Sequence, residues 1–187
     1  MRVLLHSCCA PCSSACVMRL KSLGHEVTLY YSNSNIDTFE EFERRLESLR
    51  ILAEAEQVDL VVDEYCHDVW LKEVAVGYES EPEKGKRCAK CYRFNLARTA
   101  NYAREHGFDA FSTSLTVSPH KPTALVFAKG VEVEADLADI GKPFFLEEDF
   151  KKKDGFKVSL QRSKDLNLYR QAYCGCEFCR NRSQMAR

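Results

Sequence analysis

No apolar run in the 187-residue sequence approaches the roughly 18 to 20 residues that a bilayer-spanning helix requires, which argues against a membrane protein. The chain opens directly on a short strand-like run, without a cleavable signal, and so differs from the small secreted scaffolds that rely on disulfides. No phosphate-cradling Gly-rich loop follows that first strand, which disfavours ATP. At 45% hydrophobic, the chain can bury a substantial core without cross-links.

What the sequence does have is sulfur. Of ten cysteines, seven fall in H-S-C-C-A-P-C (Cys8, Cys9, Cys12), R-C-A-K-C (Cys88, Cys91) and Y-C-G-C (Cys174, Cys176). In a reducing compartment such groups serve as thiolate ligands or redox thiols rather than as a disulfide framework. Charge is segregated around them: the net value is −1, yet residues 84–104 carry seven basic groups and no acid. Residues 151–187 carry ten basic groups against three acids. Both basic segments hold cysteines, so a polyanion would be drawn towards the sulfur by neutralisation of its phosphates.

Strand and helix signals alternate. Arg2 to His6 reads as a strand and Pro11 to Leu23 as a helix stopped by Gly24. Glu26 to Tyr31 is a second strand, and Asp37 with Glu40 suggests a capping box for a helix along Phe39, Phe42, Leu46, Leu49 and Leu52. Leu60 to Val62 follows as a strand, Tyr92 to His106 as a helix, and Ala110 to Leu115 as a fourth strand. Pro122 to Ile140 reads as a helix weakened at Gly130, Pro143 to Leu146 as a last strand, and Ser163 to Tyr173 as a terminal helix. This order predicts an α/β fold: a three-layer, Rossmann-like open sheet, mostly parallel, flanked by helices, with a cysteine-rich C-terminal tail.

That fold gives the first cysteines an address, because ligands gather at the carboxyl ends of strands in open α/β sheets. Cys8 and Cys9 lie where the first strand hands over to its helix, and they share one centre if the backbone leaves extended geometry. Cys88 and Cys91 are spaced for one side of a helical turn, a pattern used by zinc and iron–sulfur sites alike. The tail reads C-G-C-x-x-C, so Cys88, Cys91, Cys176 and Cys179 would also suit a zinc ribbon. Cys174 and Cys176, with Gly175 between them, suit a labile disulfide that exchanges two electrons. Cys16 and Cys66 stand apart as structural residues.

Together L-L-H-S-C-C-A-P-C, S-N-S-N-I, E-P-E-K-G-K-R-C-A-K-C-Y-R-F, S-T-S-L and L-Y-R-Q-A-Y-C-G-C resemble the cobalamin-independent epoxyqueuosine reductases over nearly the whole chain. The resemblance implies a cytoplasmic iron–sulfur oxidoreductase that removes the epoxide oxygen of epoxyqueuosine at the tRNA wobble position, the last step of queuosine biosynthesis. It implies a four-iron, four-sulfur cluster on Cys8, Cys9, Cys88 and Cys91, and a redox-active dithiol at Cys174 and Cys176. Cys12 would hold an adjacent mononuclear iron or support the cluster. The chain departs from the family's usual asparagine-proline-asparagine run by having Ser34 between Asn33 and Asn35, and it adds Cys179 where serine is common.

The chemistry suits these parts, since converting an epoxide to an alkene consumes two electrons and two protons whereas a four-iron cluster ordinarily delivers one electron. A neighbouring dithiol or second iron would supply the missing equivalent, and an external electron donor is expected as a partner. His6, Tyr92, Tyr169 and Tyr173 are candidate proton donors. Arg87, Arg93 and Arg170 are the candidate contacts to the tRNA anticodon loop, whose bases would stack on exposed Tyr or Phe. Residues 1–187 are expected to form one domain, with the helix and tail of residues 160–187 packed on the metal site. A zinc-dependent nucleic-acid-binding module and a metal-free thiol oxidoreductase are the alternatives.

Overall fold

The computed structural model describes residues 1–137 and 143–179. In chain order the main elements are β1 (Arg2–His6), α1 (Ala10–Ser22), β2 (Glu26–Tyr31), α2 (Phe39–Glu56), β3 (Asp59–Val62), α3 (His67–Trp70), α4 (Lys86–Glu105), β4 (Ala110–Thr113), α5 (Thr123–Asp136), β5 (Phe144–Phe145) and α6 (Gly155–Asp165). The sheet order is β3-β2-β1-β4-β5, and every pairing is parallel. β1 is central, with His6 in register between Tyr30 and Thr113.

The three layers follow from side-chain alternation along strands that are covered on both faces. Val3, Leu5, Leu29 and Tyr31 face the layer of α1 and α2, packing with Val17, Leu20, Phe42, Leu46 and Leu49. Leu4, Tyr30, Phe111 and Phe145 face the opposite layer, with Leu96, Ala100 and Ala103 of α4 and Val133 of α5. Each fully buried leucine contributes on the order of 2 kcal/mol. The sheet therefore holds its edge rigid without any cross-link, and all ten cysteines are free.

Several boundaries differ from the sequence reading, for identifiable reasons. Thr38, not Asp37, caps α2, its Oγ1 accepting from Glu41 N at 3.3 Å. Asp37 is turned instead towards Tyr173, whose hydroxyl donates to it at 2.6 Å. α4 begins six residues earlier than expected. Its first turn is basic, against the helix dipole, but Glu81 supplies the missing carboxylate by accepting from Lys86 N at 2.8 Å.

α5 runs through Gly130 without a break; a side chain there would collide with the Phe145 ring, so the glycine serves helix-to-sheet packing. The expected end of that helix at Ile140 lies outside the described residues. β4 stops at Thr113, whose Oγ1 accepts from Leu115 N at 3.2 Å and turns the chain into a tight 3₁₀ turn, Ser114–Val117.

The terminal helix is also shifted. It spans Gly155–Asp165, not Ser163 to Tyr173, because Asn167 adopts φ +50° and sends the chain along α2. There Leu168 enters the core and Tyr169 N donates to Ser48 Oγ at 3.0 Å. α3 was not expected; it continues into a widened turn, Leu71–Ala75, that presents Trp70, Val74 and Ala75 to the cysteine tail.

A thiol-lined cleft as candidate metal centre

The carboxyl edge of β1, β2 and β4 opens into a cleft of about 430 Å³ that gathers three distant parts of the sequence. Cys8 and Cys12 line it from the β1–α1 junction, Cys88 and Cys91 from the start of α4, and Cys174, Cys176 and Cys179 from the tail. Asn33 and Asn35, just beyond β2, complete the floor.

The chain bends at Cys8, two residues past the strand, while Cys9 remains extended (φ −169°, ψ 155°) as the residue before α1. That bend brings the sulfurs of Cys8 and Cys9 to 3.9 Å, and with Cys12 all three lie within 4.8 Å of one another. Pro11 suits the first turn because it lacks an N–H that the helix could not satisfy. Hydrogen bonds from Cys12 and Cys8 hold the Cys9 thiol well below its ordinary range. Cys12 is pushed well above it by Cys8 and Cys9 and by burial. Ser114 steadies Cys8 twice, accepting from its backbone N–H at 3.1 Å and donating to its Sγ at 3.4 Å.

Cys88 accepts from Lys84 N at 3.3 Å. Burial raises the Cys91 thiol to about 12. The Trp70 indole N–H, which has no other acceptor among the described residues, opposes that rise, and Asn95 Nδ2 also lies 3.9 Å from the sulfur. Asn95 is itself fixed by donating to Asn35 Oδ1 at 3.0 Å. Such N–H donors around sulfur are what a metal-bound thiolate uses to orient and tune itself.

The tail is clamped into this cleft from α2. Arg45 is almost fully buried; its Nε pairs with Glu41 at 2.8 Å, and its two Nη atoms donate to the carbonyls of Cys174 at 3.1 Å and Tyr173 at 3.3 Å. Gly175 has φ +135°, a conformation open to glycine, and its carbonyl accepts from Asp37 N at 2.9 Å. The sulfurs of Cys174 and Cys176 are then 3.8 Å apart. Hydrogen bonds from Cys176 and Cys179 hold Cys174 well below the ordinary thiol range, against the effect of burial, and the Lys121 ammonium adds to them. Cys176 is pushed up by its neighbour Cys174 and by burial.

The sequence-predicted residues separate clearly. Cys88 and Cys91 share the cleft with the β1 cysteines, but the compact trio is Cys8, Cys9 and Cys12, which draws Cys12 into the centre. Cys88 packs near Cys8 against Tyr92 and Leu115, whereas Cys91 packs with Cys174, Cys176 and Cys179 around Trp70. A ribbon of Cys88, Cys91, Cys176 and Cys179 is thus not the grouping found among the described residues. Cys16 and Cys66 do not line the cleft.

Of the arginines, Arg170 lines the rim of the cleft. Arg93 pairs with Asp136 at 2.5 Å on the surface. Arg87 is 3% exposed, and its Nη1 donates to the carbonyls of Tyr78, Glu79 and Glu81 at 2.7, 3.2 and 2.9 Å, so its guanidinium first anchors that loop.

Among the candidate proton donors, His6 is fully buried between Thr113 Oγ1 at 2.9 Å and the Ser32 carbonyl at 3.2 Å, and burial keeps it neutral. Tyr169 and Tyr173 donate to Glu41 and Asp37. Tyr92 lines the cleft beneath Lys121, whose Nζ lies 5.4 Å from its ring centre. Sequence reasoning missed Lys121, Asn95, Trp70 and Arg45. The signal for Lys121 was its place in the loop after β4, at the same carboxyl edge as the cysteines.

An all-thiol donor set with N–H groups directed at sulfur fits an iron–sulfur cluster; zinc would accept the same soft donors. Residues 3–182 match the family model described as "Epoxyqueuosine reductase QueH". Three curated proteins bearing that name are similar over most of their length. That of Streptococcus pyogenes serotype M1 is 34% identical over 182 residues, covering 94% of this chain and 69% of its own. That of Acinetobacter baylyi is 35% identical over 177 residues (95% and 79%), and that of Thermotoga maritima 32% over 179 residues (94% and 88%). The thiol-lined cleft and these similarities over nearly all of this chain together place it in the epoxyqueuosine reductase QueH family, a family of oxidoreductases.

Proposed function

We propose that this chain reduces epoxyqueuosine to queuosine at the wobble position of tRNA, using an iron–sulfur cluster and a redox-active dithiol. The observation that carries the reading is the convergence of seven cysteines, from three distant segments, on one cleft at the sheet's carboxyl edge. Loss of the epoxide oxygen as water breaks two C–O bonds, forms one C=C bond, and takes up two electrons and two protons. Cys8, Cys9, Cys88 and Cys91 would hold the four-iron cluster and Cys12 an adjacent iron; when bound, the cluster supplies electrons singly. Cys174 and Cys176, with their sulfurs 3.8 Å apart, would supply a pair of electrons as the dithiol and become a disulfide, which the external donor would reduce again.

The tRNA would approach with its single-stranded anticodon loop, its phosphates near Arg170 and its flipped base in the cleft. Within the basic segment of residues 84–104, Arg87, Arg93 and Arg98 are already bound to the protein's own carbonyls or carboxylates. The electrostatic attraction therefore rests on the remaining cations. No helix among the described residues is long and apolar enough to cross a membrane. We place the enzyme in the cytoplasm with its tRNA substrate and an external one-electron donor.

The test is anaerobic purification with iron, sulfide and zinc analysis, followed by turnover of epoxyqueuosine-containing tRNA with dithionite. Iron with matching sulfide, and queuosine in the tRNA, is the expected result. Zinc alone, or no product with iron fully loaded, would refute the proposal. The proximity of Cys174 and Cys176 also favours a second reading, a metal-free thiol oxidoreductase, which would keep its activity after iron chelation.

A further inference from the structure

Among the described residues five cations line the cleft, and four of them are exposed or occupied. Arg45 and Arg87 are bound to carbonyls; Lys84 and Arg170 are exposed. Lys121 differs: it is half-buried, and among the described residues its Nζ has no carboxylate or carbonyl acceptor. Its one side-chain neighbour of note is the face of Tyr92, 5.4 Å from Nζ to ring centre. A cation–π contact holds an ammonium in place without taking up its N–H donors.

The backbone of Lys121 is fixed from both directions. Its N–H donates to Ser118 O at 3.3 Å, and its carbonyl accepts from Lys151 Nζ at 2.6 Å. The loop that carries it starts from the 3₁₀ turn containing Ser114, the residue that steadies Cys8. Lys121 thus lines the same cleft as the thiols, at the same sheet edge. Although burial disfavours its charge, the neighbouring Cys174 thiol, itself held well below the ordinary range, outweighs that effect and raises the Lys121 pKa. A donor is needed there, because an epoxide oxygen leaves poorly as a bare alkoxide. His6, Tyr169 and Tyr173 are each engaged with other groups.

We propose that Lys121 is the residue that binds the epoxide oxygen and protonates it as the first C–O bond breaks. The inference rests on the epoxyqueuosine reductase reading of this site. In the full reaction, two electrons from a one-electron reductant and two protons convert the epoxide to the alkene and water. Lys121 Nζ delivers the proton that reaches oxygen at the first cleavage. The amine so formed is reprotonated from solvent, and the second proton follows before water departs.

Single-turnover rates on epoxyqueuosine-containing tRNA under dithionite would be compared for the iron-loaded wild type, Lys121→Met and Lys121→Ala, alongside iron content and tRNA affinity. A positioned general acid contributes about 10²–10⁴ in rate. Both variants should therefore lose at least about a hundredfold, with iron content intact and tRNA Kd within about threefold (under 1 kcal/mol) of the wild type. Ethylammonium should restore turnover to Lys121→Ala in proportion to its concentration, which a structural role would not do.

The inference fails if Lys121→Met turns over at wild-type rate. It also fails if tRNA affinity falls about tenfold or more, the mark of a phosphate anchor, if iron is lost, or if ethylammonium gives no rescue. A wild type that is loaded with iron but makes no queuosine would remove the reductase reading itself and this inference with it. An active wild type beside an equally active variant removes Lys121's role alone.

Discussion

Replacing Gly175 with alanine isolates the clamp that presents the tail thiols. At φ +135° the new methyl group would lie 3.0 Å from Asn35 Nδ2 and 3.2 Å from Ile36 Cγ1. A side chain forced into such a backbone region costs on the order of 1–3 kcal/mol, and the two close contacts place the effect at about 2 kcal/mol rather than at the lower bound. The strain is relieved by undocking the tail, because the interactions lost are local: Asp37 N to Gly175 O at 2.9 Å, and Arg45 to the carbonyls of Tyr173 and Cys174. At 1.4 kcal/mol per factor of ten, about 2 kcal/mol shifts the docked-to-undocked ratio roughly thirtyfold. Amide hydrogen exchange reads this directly. The Asp37 amide should exchange roughly thirtyfold faster, while those of Leu4 and Leu5 in the central strand keep their protection. An Asp37 amide that remains as protected as in the wild type would refute the reasoning, because the clamp would not then depend on Gly175.

Arg45→Met should lower the unfolding free energy by about 3–5 kcal/mol in a urea titration, because Glu41 is left as an unpaired buried charge; an unchanged midpoint would show that Glu41 finds another partner. Arg170→Gln should reduce the slope of log K against log salt for tRNA binding by about 0.7–0.9, one phosphate contact. Arg87→Gln should instead open the loop around Tyr78 to Glu81 to proteolysis, and a loop as resistant as the wild type's would contradict the anchoring role.

At Asp63, burial opposes the charge, but hydrogen bonds from Arg98 and Ser32 outweigh it and hold the carboxyl below its usual range. A lowered folded-state pKa stabilises the protein above the unfolded value, about 3.9, and that contribution disappears as pH falls through the folded value. Asp63→Asn should therefore flatten the loss of stability below about pH 4. An acid titration of unfolding identical to that of the wild type would exclude this linkage.

The sheet was legible because its strands are short apolar runs separated by helical periodicity, as in Val3-Leu4-Leu5 and Phe39 to Leu52. The cysteine-bearing segments were legible because their spacing is local. What sequence could not show depends on contacts across the chain. The start of α4 is stabilised by a carboxylate from the preceding loop, which helix-end rules within the segment do not contain. Residues 166–173 leave the helix because Leu168 is taken into the core beside α2. Counting arginines does not distinguish Arg170, on the cleft rim, from Arg87, closed over backbone carbonyls. Lys121 acquires its position through a sheet crossing that brings the β4 edge beside Cys8.

The clamp between Arg45 and the Cys174 carbonyl joins residues 129 positions apart, and Ser114 meets Cys8 across 106. During synthesis at about 5–20 residues per second, the Cys8–Cys9–Cys12 trio leaves the ribosome on the order of ten to thirty seconds before its partners on the tail. Throughout that interval the trio faces the surrounding solution without the tail that later covers it. On the proposed cluster reading, stable metallation would be a late event that follows arrival of the tail, and a nascent chain stalled before residue 173 would carry thiols open to oxidation.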